Sequence, residues 1–218
     1  MIIDLPKNAS NEVLVINDHM RIEDGILKLT FPYSLRNAMY ILTYQMKGKH
    51  KCAYCQKEIF YNKVTLDHTI PQDFGGPTIT NNLEPCCNTC NQEKSNMTKE
   101  HYLEYTLLDP SDKKAYLKKF HYTLESLHKL DFPLLPKEWV EEKSIENIIV
   151  NISLSEDYKG AKYQKTKEYF EKYGHFQKTI ILDKKNFLLD GFTILMYAKT
   201  HNIKSVPVIV LENVEVIL

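Results

Sequence analysis

Val64-Thr65-Leu66-Asp67-His68-Thr69-Ile70-Pro71-Gln72-Asp73-Phe74-Gly75-Gly76 decides how this chain is read, together with Asn82-Leu83-Glu84-Pro85-Cys86-Cys87-Asn88-Thr89-Cys90-Asn91 downstream and Cys52-Ala53-Tyr54-Cys55 upstream. A carboxylate stands beside a histidine, an asparagine follows a Gly-Gly turn, and a second amide comes just after the second Cys-x-x-Cys pair. Together they form one metal and general-base constellation inside a zinc-binding frame.

The frame follows from coordination chemistry. Zinc prefers four tetrahedral thiolate or imidazole ligands, and a Cys-x-x-Cys turn puts two sulfurs on one ion with little chain strain. Cys52, Cys55, Cys87 and Cys90 complete one closed site. A redox motif is the rival reading of either pair alone, but such a motif opens the helix of a β-α-β unit and does not come twice. Cys86 is left over, since its spacing to Cys90 has one residue too many for the turn.

Outward from the frame, Asp67-His68 followed by Ile70-Pro71, Gly75-Gly76 and Asn82-Leu83-Glu84-Pro85 resembles the HNH endonucleases, whose zinc-framed ββα-metal unit is a hairpin followed by a helix gripping one divalent ion. The resemblance implies that His68 is the general base on the first strand of the hairpin. It makes Asp67, pointing to the other side of that strand, a ligand of the catalytic ion. It implies that Asn82 bonds the loop and holds His68 in place, and that Asn91 is the second ligand, where many members carry histidine. An amide oxygen is harder than an imidazole nitrogen, so Asp67 and Asn91 favour Mg²⁺ or Mn²⁺. The expected activity is hydrolysis of DNA phosphodiester bonds; the alternative is a zinc-stapled DNA-binding or partition-like accessory protein that does not cut.

Composition sets the surroundings. The 218 residues have the apolar and charged fractions of an ordinary globular protein, and 28 basic residues balance 28 acidic ones, so no global positive field announces nucleic acid. A DNA footprint must be local. Lys49, Lys51, Lys57 and Lys63 around the first cysteine pair, with Lys94 one helical turn beyond Asn91, are its expected members. Only Arg21 and Arg36 are arginines, which argues against strict base readout, since arginine makes the bidentate contacts that read guanine. No apolar run reaches the length of a membrane span and Met1-Ile2-Ile3-Asp4 does not read as a secretory signal, so a cytoplasmic protein with no membrane partner is expected.

Residues 12–16 and 26–31 read as two strands around Asp24-Gly25, and Leu35, Met39, Leu42 and Met46 as a helical stripe leading to Cys52. A packing helix is expected from Ser111. Further strands are expected at Ile148–Leu154, Thr179–Leu182, Phe187–Leu189 and Val206–Leu211, with helices at Lys162–Tyr173 and Thr193–His201. This last part resembles the ParB/sulfiredoxin-type fold through Leu189-Asp190-Gly191-Phe192 and the strand–helix–strand order after it. In that fold the turn after Asp-Gly leads into a helix whose N-terminus binds nucleotide phosphate, aided by an arginine or histidine; Gly191-Phe192-Thr193-Ile194 lacks that cation, so a partner-docking or DNA-positioning role is expected instead. The expected class is α+β: a zinc-stabilised HNH domain over 1–104, a helical connector over 105–143 and a small α/β module over 144–218.

Overall fold

The computed structural model describes residues 1–6, 14–30, 34–47, 51–127, 135–150 and 160–217, with backbone alone at 61 and 122–127. The first sheet begins as a meander of β1 (Leu14–Asn17), β2 (Met20–Glu23) and β3 (Ile26–Thr30). Asp24 and Gly25 both have positive φ, 51° and 72°, the mirror-image turn that suits the twist of a tight hairpin. The sequence reading skipped β2 because only Met20 and Ile22 of its four residues are apolar. Helix α1 (Leu35–Met46) buries Leu35, Met39 and Leu42 as its stripe predicts.

The middle of the chain holds β4 (Val64–His68), β5 (Leu83–Cys87), α2 (Asn88–Lys94), α3 (Lys99–Thr106) and α4 (Pro110–Leu127). The last helix starts at Pro110, whose missing N–H costs nothing in a first turn. Ser111, expected as its cap, is therefore inside it. The final part carries β6 (Glu141–Ser144), α5 (Ala161–Tyr173), β7 (Ile180–Asp183), β8 (Leu188–Asp190), α6 (Phe192–Thr200), β9 (Ser205–Leu211) and β10 (Val214–Ile217). Gly174, at φ 78°, closes α5 with its N–H on the Phe170 carbonyl. Of the strand expected at 148–154, Ile149 bridges Phe187, and residues 151–154 lie outside the described residues.

The class is mixed α+β, with β6, β9, β7 and β8 forming one sheet in that order. Strand pairing runs across the boundary expected at residue 144. β10 adds in parallel to β3, with Val214 opposite Leu27 and Ile217 opposite Thr30, so the sheet begun by residue 14 is finished by residue 217. Ile181, Ile209, Leu211 and Val214 share one core with β2, β3, α1, Ile79 and Leu83. The stretch expected to be purely a helical connector also supplies β6, which pairs antiparallel with β9.

Buried Asp183 fastens the junction: its carboxylate accepts from the N–H groups of Lys185 and Phe187, each at 2.8 Å, and of Val216 at 2.9 Å. Charged acceptors make the stronger hydrogen bonds. The carboxylate thus ties β7 and the turn after it to β10.

Candidate functional site

β4 and β5 pair antiparallel, with Asp67 opposite Glu84 and His68 opposite Leu83. Successive side chains of a strand alternate, so Asp67 and His68 leave β4 on opposite faces. The two faces meet different surroundings.

On one face lies the cysteine frame. The four sulfurs of Cys52, Cys55, Cys87 and Cys90 lie within 4.8 Å of one another, near the separation of about 3.8 Å that a tetrahedron of 2.3 Å zinc–sulfur bonds requires. Cys87 has three tasks, as last residue of β5, N-cap of α2 and sulfur donor; its Sγ accepts from Cys90 N at 3.5 Å. The Cys52–Cys55 turn is tied to the hairpin by Ala53 N donating to the Pro85 carbonyl at 3.0 Å. Burial raises the Cys52 thiol, but the N–H groups of Cys55, Cys87 and Tyr54 outweigh it and bring it down to about 7. That favours the thiolate a metal needs. The buried Cys86 thiol stands apart beside Thr65 Oγ1 at 3.3 Å and is pushed up to about 12 by burial.

Asp67 is on this face and buried. Its carboxylate accepts from the Tyr54 hydroxyl and from Lys94 Nζ, at 3.2 Å and 3.0 Å to its two oxygens. The same ammonium donates to the His68 carbonyl at 2.9 Å. Lys94 is therefore a fully buried counter-ion and not the exposed phosphate contact expected of it; burial lowers its pKa and Asp67 acts against that. Tyr54 is braced by the edge of the Tyr102 ring from α3, 5.1 Å away.

Asn91 stands one helical turn before Lys94, and its Nδ2 donates to Thr65 Oγ1 at 3.2 Å. No hydrogen bond joins Asn91 to Asp67 among the described residues. The carboxylate on β4 and the amide on α2 are oxygen donors of the kind a hard divalent ion takes, and in this structure they bond Lys94 and Thr65 instead.

On the other face His68 Nε2 lies 2.9 Å from Thr78 Oγ1 and 3.3 Å from Gln72 Nε2. Gln72 also donates to Thr78 Oγ1 at 3.3 Å, and the direction of the bond between His68 Nε2 and the threonine hydroxyl follows the imidazole tautomer. Burial foremost, then the charges of Arg36, Lys178 and Lys94, lower the imidazole pKa to about 4. The loop between the strands hangs on Asn82, fully buried. Its Oδ1 accepts from Thr69 Oγ1 at 2.7 Å and Ile70 N at 2.8 Å, and its Nδ2 donates to the carbonyls of Ile70 at 3.0 Å and Pro77 at 2.9 Å. Gly76 admits no side chain, since a Cβ would sit 1.8 Å from the Ile70 carbonyl oxygen.

Lys51, Lys57 and Lys63 are exposed, and Lys49 lies outside the described residues. Sequence reasoning missed Tyr54, Gln72 and Thr78. Tyr54 had a locatable position inside the first cysteine turn, but nothing in the pattern said which way it faces.

Residues 52–105 match the family model described as HNH endonuclease, a span that runs from the first cysteine through α3. The match supports nuclease activity for this stretch, and the four-cysteine cluster within it is suited to a metal such as zinc. No curated protein and no solved structure matches the chain. The ParB/sulfiredoxin resemblance of the last part finds no support in these comparisons. No described helix is long and apolar enough to cross a membrane.

Elemental analysis of folded protein is expected to return one zinc per chain; Cys55→Ser should lose it and unfold the hairpin region, while Cys86→Ser keeps it. Lys94→Met leaves Asp67 charged and unpaired in the interior, which costs about 3–5 kcal/mol. Urea unfolding should register that loss, and added Mn²⁺ should restore the variant more than it stabilises wild type. An imidazole with a lowered pKa stabilises the fold above its ordinary value of about 6.5 and loses that contribution as pH falls towards 4. Without added divalent ion the NMR signal of the His68 ring should accordingly stay that of neutral imidazole down to about pH 5, and a midpoint at 6.5 contradicts the packing described.

Proposed function

We propose that this protein is a metal-dependent endonuclease that hydrolyses phosphodiester bonds in DNA. The observation that carries the reading is the Asp67-His68 pair on a ββα unit whose loop is fastened by Asn82, within the stretch that matches the HNH family model. HNH enzymes act on DNA, which makes DNA the partner.

His68 is the general base. Its ring is neutral at physiological pH, and its unprotonated nitrogen takes a proton from the water that attacks phosphorus. The new P–O bond forms as the bond to the leaving sugar oxygen breaks, and that oxygen takes a proton from solvent. Thr78 and Gln72 aim the ring, and Asn82 keeps the loop that carries Gln72 from shifting. Asp67 and Asn91 would hold the divalent ion, Mg²⁺ or Mn²⁺, and Lys94 is the cation that neutralises the carboxylate in this structure. Bound there, such an ion supplies positive charge to the phosphate and the leaving oxygen. Zinc at the four cysteines is structural, since a closed tetrahedron of sulfur leaves no position for substrate.

A second reading, a zinc-stapled DNA-binding protein that does not cut, has one observation on its side: Asp67 already has its cation in Lys94. Plasmid incubated with and without Mg²⁺ or Mn²⁺ separates the two. Cleavage by wild type and a loss of about 10²- to 10⁴-fold in rate for His68→Ala, with DNA affinity kept, is the expected result. Supercoiled plasmid surviving every ion gives the case to the non-cutting reading. Asn91→Ala should raise the concentration of metal needed.

A further inference from the structure

Beyond His68, on the face away from the zinc frame, the hairpin and the C-terminal sheet enclose a cleft of about 680 Å³. Gln72 and Thr78, the two partners of His68 Nε2, line it. Helix α1 contributes Arg36, α5 contributes Lys162 and Lys165, and the approach to β7 contributes Lys178. Asp190 is the one carboxylate on the wall, and it is engaged with its neighbour's N–H, Gly191 N, at 2.7 Å. Among the described residues no carboxylate pairs with any of the four cations, and all four are exposed. Arg36 is steadied by the Tyr40 hydroxyl, 3.0 Å from its Nη2, which leaves its charge uncompensated.

Two aromatic residues, Tyr169 and Phe192, line the same cleft, Tyr169 steadied by the Tyr173 and His175 rings at 4.6 Å and 5.6 Å and Phe192 by the C-terminal core. Cations that follow a phosphate backbone, interleaved with rings on which bases stack, are how proteins hold single strands. The volume falls within the ~300–1,000 Å³ of pockets that take small molecules, room for a few nucleotides and not for a duplex. A duplex also keeps its base faces inside its own stack, out of reach of Tyr169 and Phe192.

Resting on the nuclease reading above, we propose that the cleft is the binding track for an unpaired DNA strand, with phosphates on Arg36, Lys162, Lys165 and Lys178 and bases against Tyr169 and Phe192. The C-terminal module is thus the half of the site that grips substrate, and the hairpin is the half that carries the base. Lys51, Lys57 and Lys63, around the cysteine turn, are not among the residues that line the cleft.

The test measures binding, without added divalent ion, by fluorescence anisotropy of a labelled short oligothymidylate on the full chain. The triple variant Lys162→Ala/Lys165→Ala/Lys178→Ala should bind at least about tenfold more weakly at low salt. Its plot of log affinity against log salt should flatten by about 2, since each single-strand phosphate contact contributes about 0.7. The control Lys114→Ala/Lys118→Ala/Lys137→Ala, three exposed lysines off the wall, should bind as wild type does, and circular dichroism should be unchanged in both. Unaltered affinity and slope in the first triple variant overturn the proposal. So does a duplex of the same length that binds as tightly as the single strand, or thymidine monophosphate that binds as tightly as the oligomer. Because no cleavage is read, a wild type that binds through these lysines but never cuts plasmid ends the nuclease reading alone, and one that cuts but binds independently of them ends this proposal alone.

Discussion

The four cysteine sulfurs constrain everything around the proposed chemistry. They join a turn at Cys52–Cys55 to the end of a strand and the start of a helix, pieces with little apolar mass of their own. Metal binding in such small units is itself folding free energy, on the order of 10 kcal/mol in zinc-finger peptides. Once the turn is fixed, Tyr54 is delivered to Asp67; once α2 is fixed, Lys94 reaches Asp67 and the His68 carbonyl from the other side. The orientation of β4, and with it the aim of His68, follows from a metal frame that touches none of the reacting atoms.

The buried Asp67–Lys94 pair is the second organising element. Two charges taken out of water rarely gain net stability over apolar residues of the same volume. The pair nevertheless adjoins the proposed base, and because the same ammonium bonds the His68 carbonyl it fixes the end of β4. His68 answers to a different environment across the strand, neutral beside Thr78 and Gln72 and facing the basic cleft. A chain of zero net charge thus presents a strongly positive wall where its cations are gathered in one concavity, and focusing by the low-dielectric walls raises the local potential further.

Local chemistry was legible in the sequence where a residue type has few uses. Paired Cys-x-x-Cys turns, Asp24-Gly25 and the Gly174 helix stop each say what they do without reference to the rest of the chain, and the structure has a cysteine cluster, a hairpin turn and a helix end there. The four-residue strands β2, β6 and β10 were not legible, because strands so short carry little periodic signal and are fixed by partners far away. Lys94 was misjudged for a related reason: a lysine one turn beyond an exposed-looking amide reads as solvated, and only the three-dimensional approach of α2 to β4 reveals the carboxylate that draws it inside. The cleft was invisible for the same cause, since Arg36, Lys178 and Lys162 come from segments far apart in the chain.

The pairing of β10 with β3 bears on when activity can arise during synthesis. A chain emerging from the ribosome N-terminus first can complete the cysteine frame and the β4–β5 hairpin early, from contacts close in sequence. The first sheet stays open until residue 217 arrives, and the α5 and β7 walls of the cleft come late as well. Pairings of such wide sequence separation are slow to form, because loop closure must be completed before they contribute. The hairpin with its histidine therefore exists for a time without the basic wall opposite it. For the nuclease proposed above, such topology delays assembly of the cleft until the segments after α5 have been made.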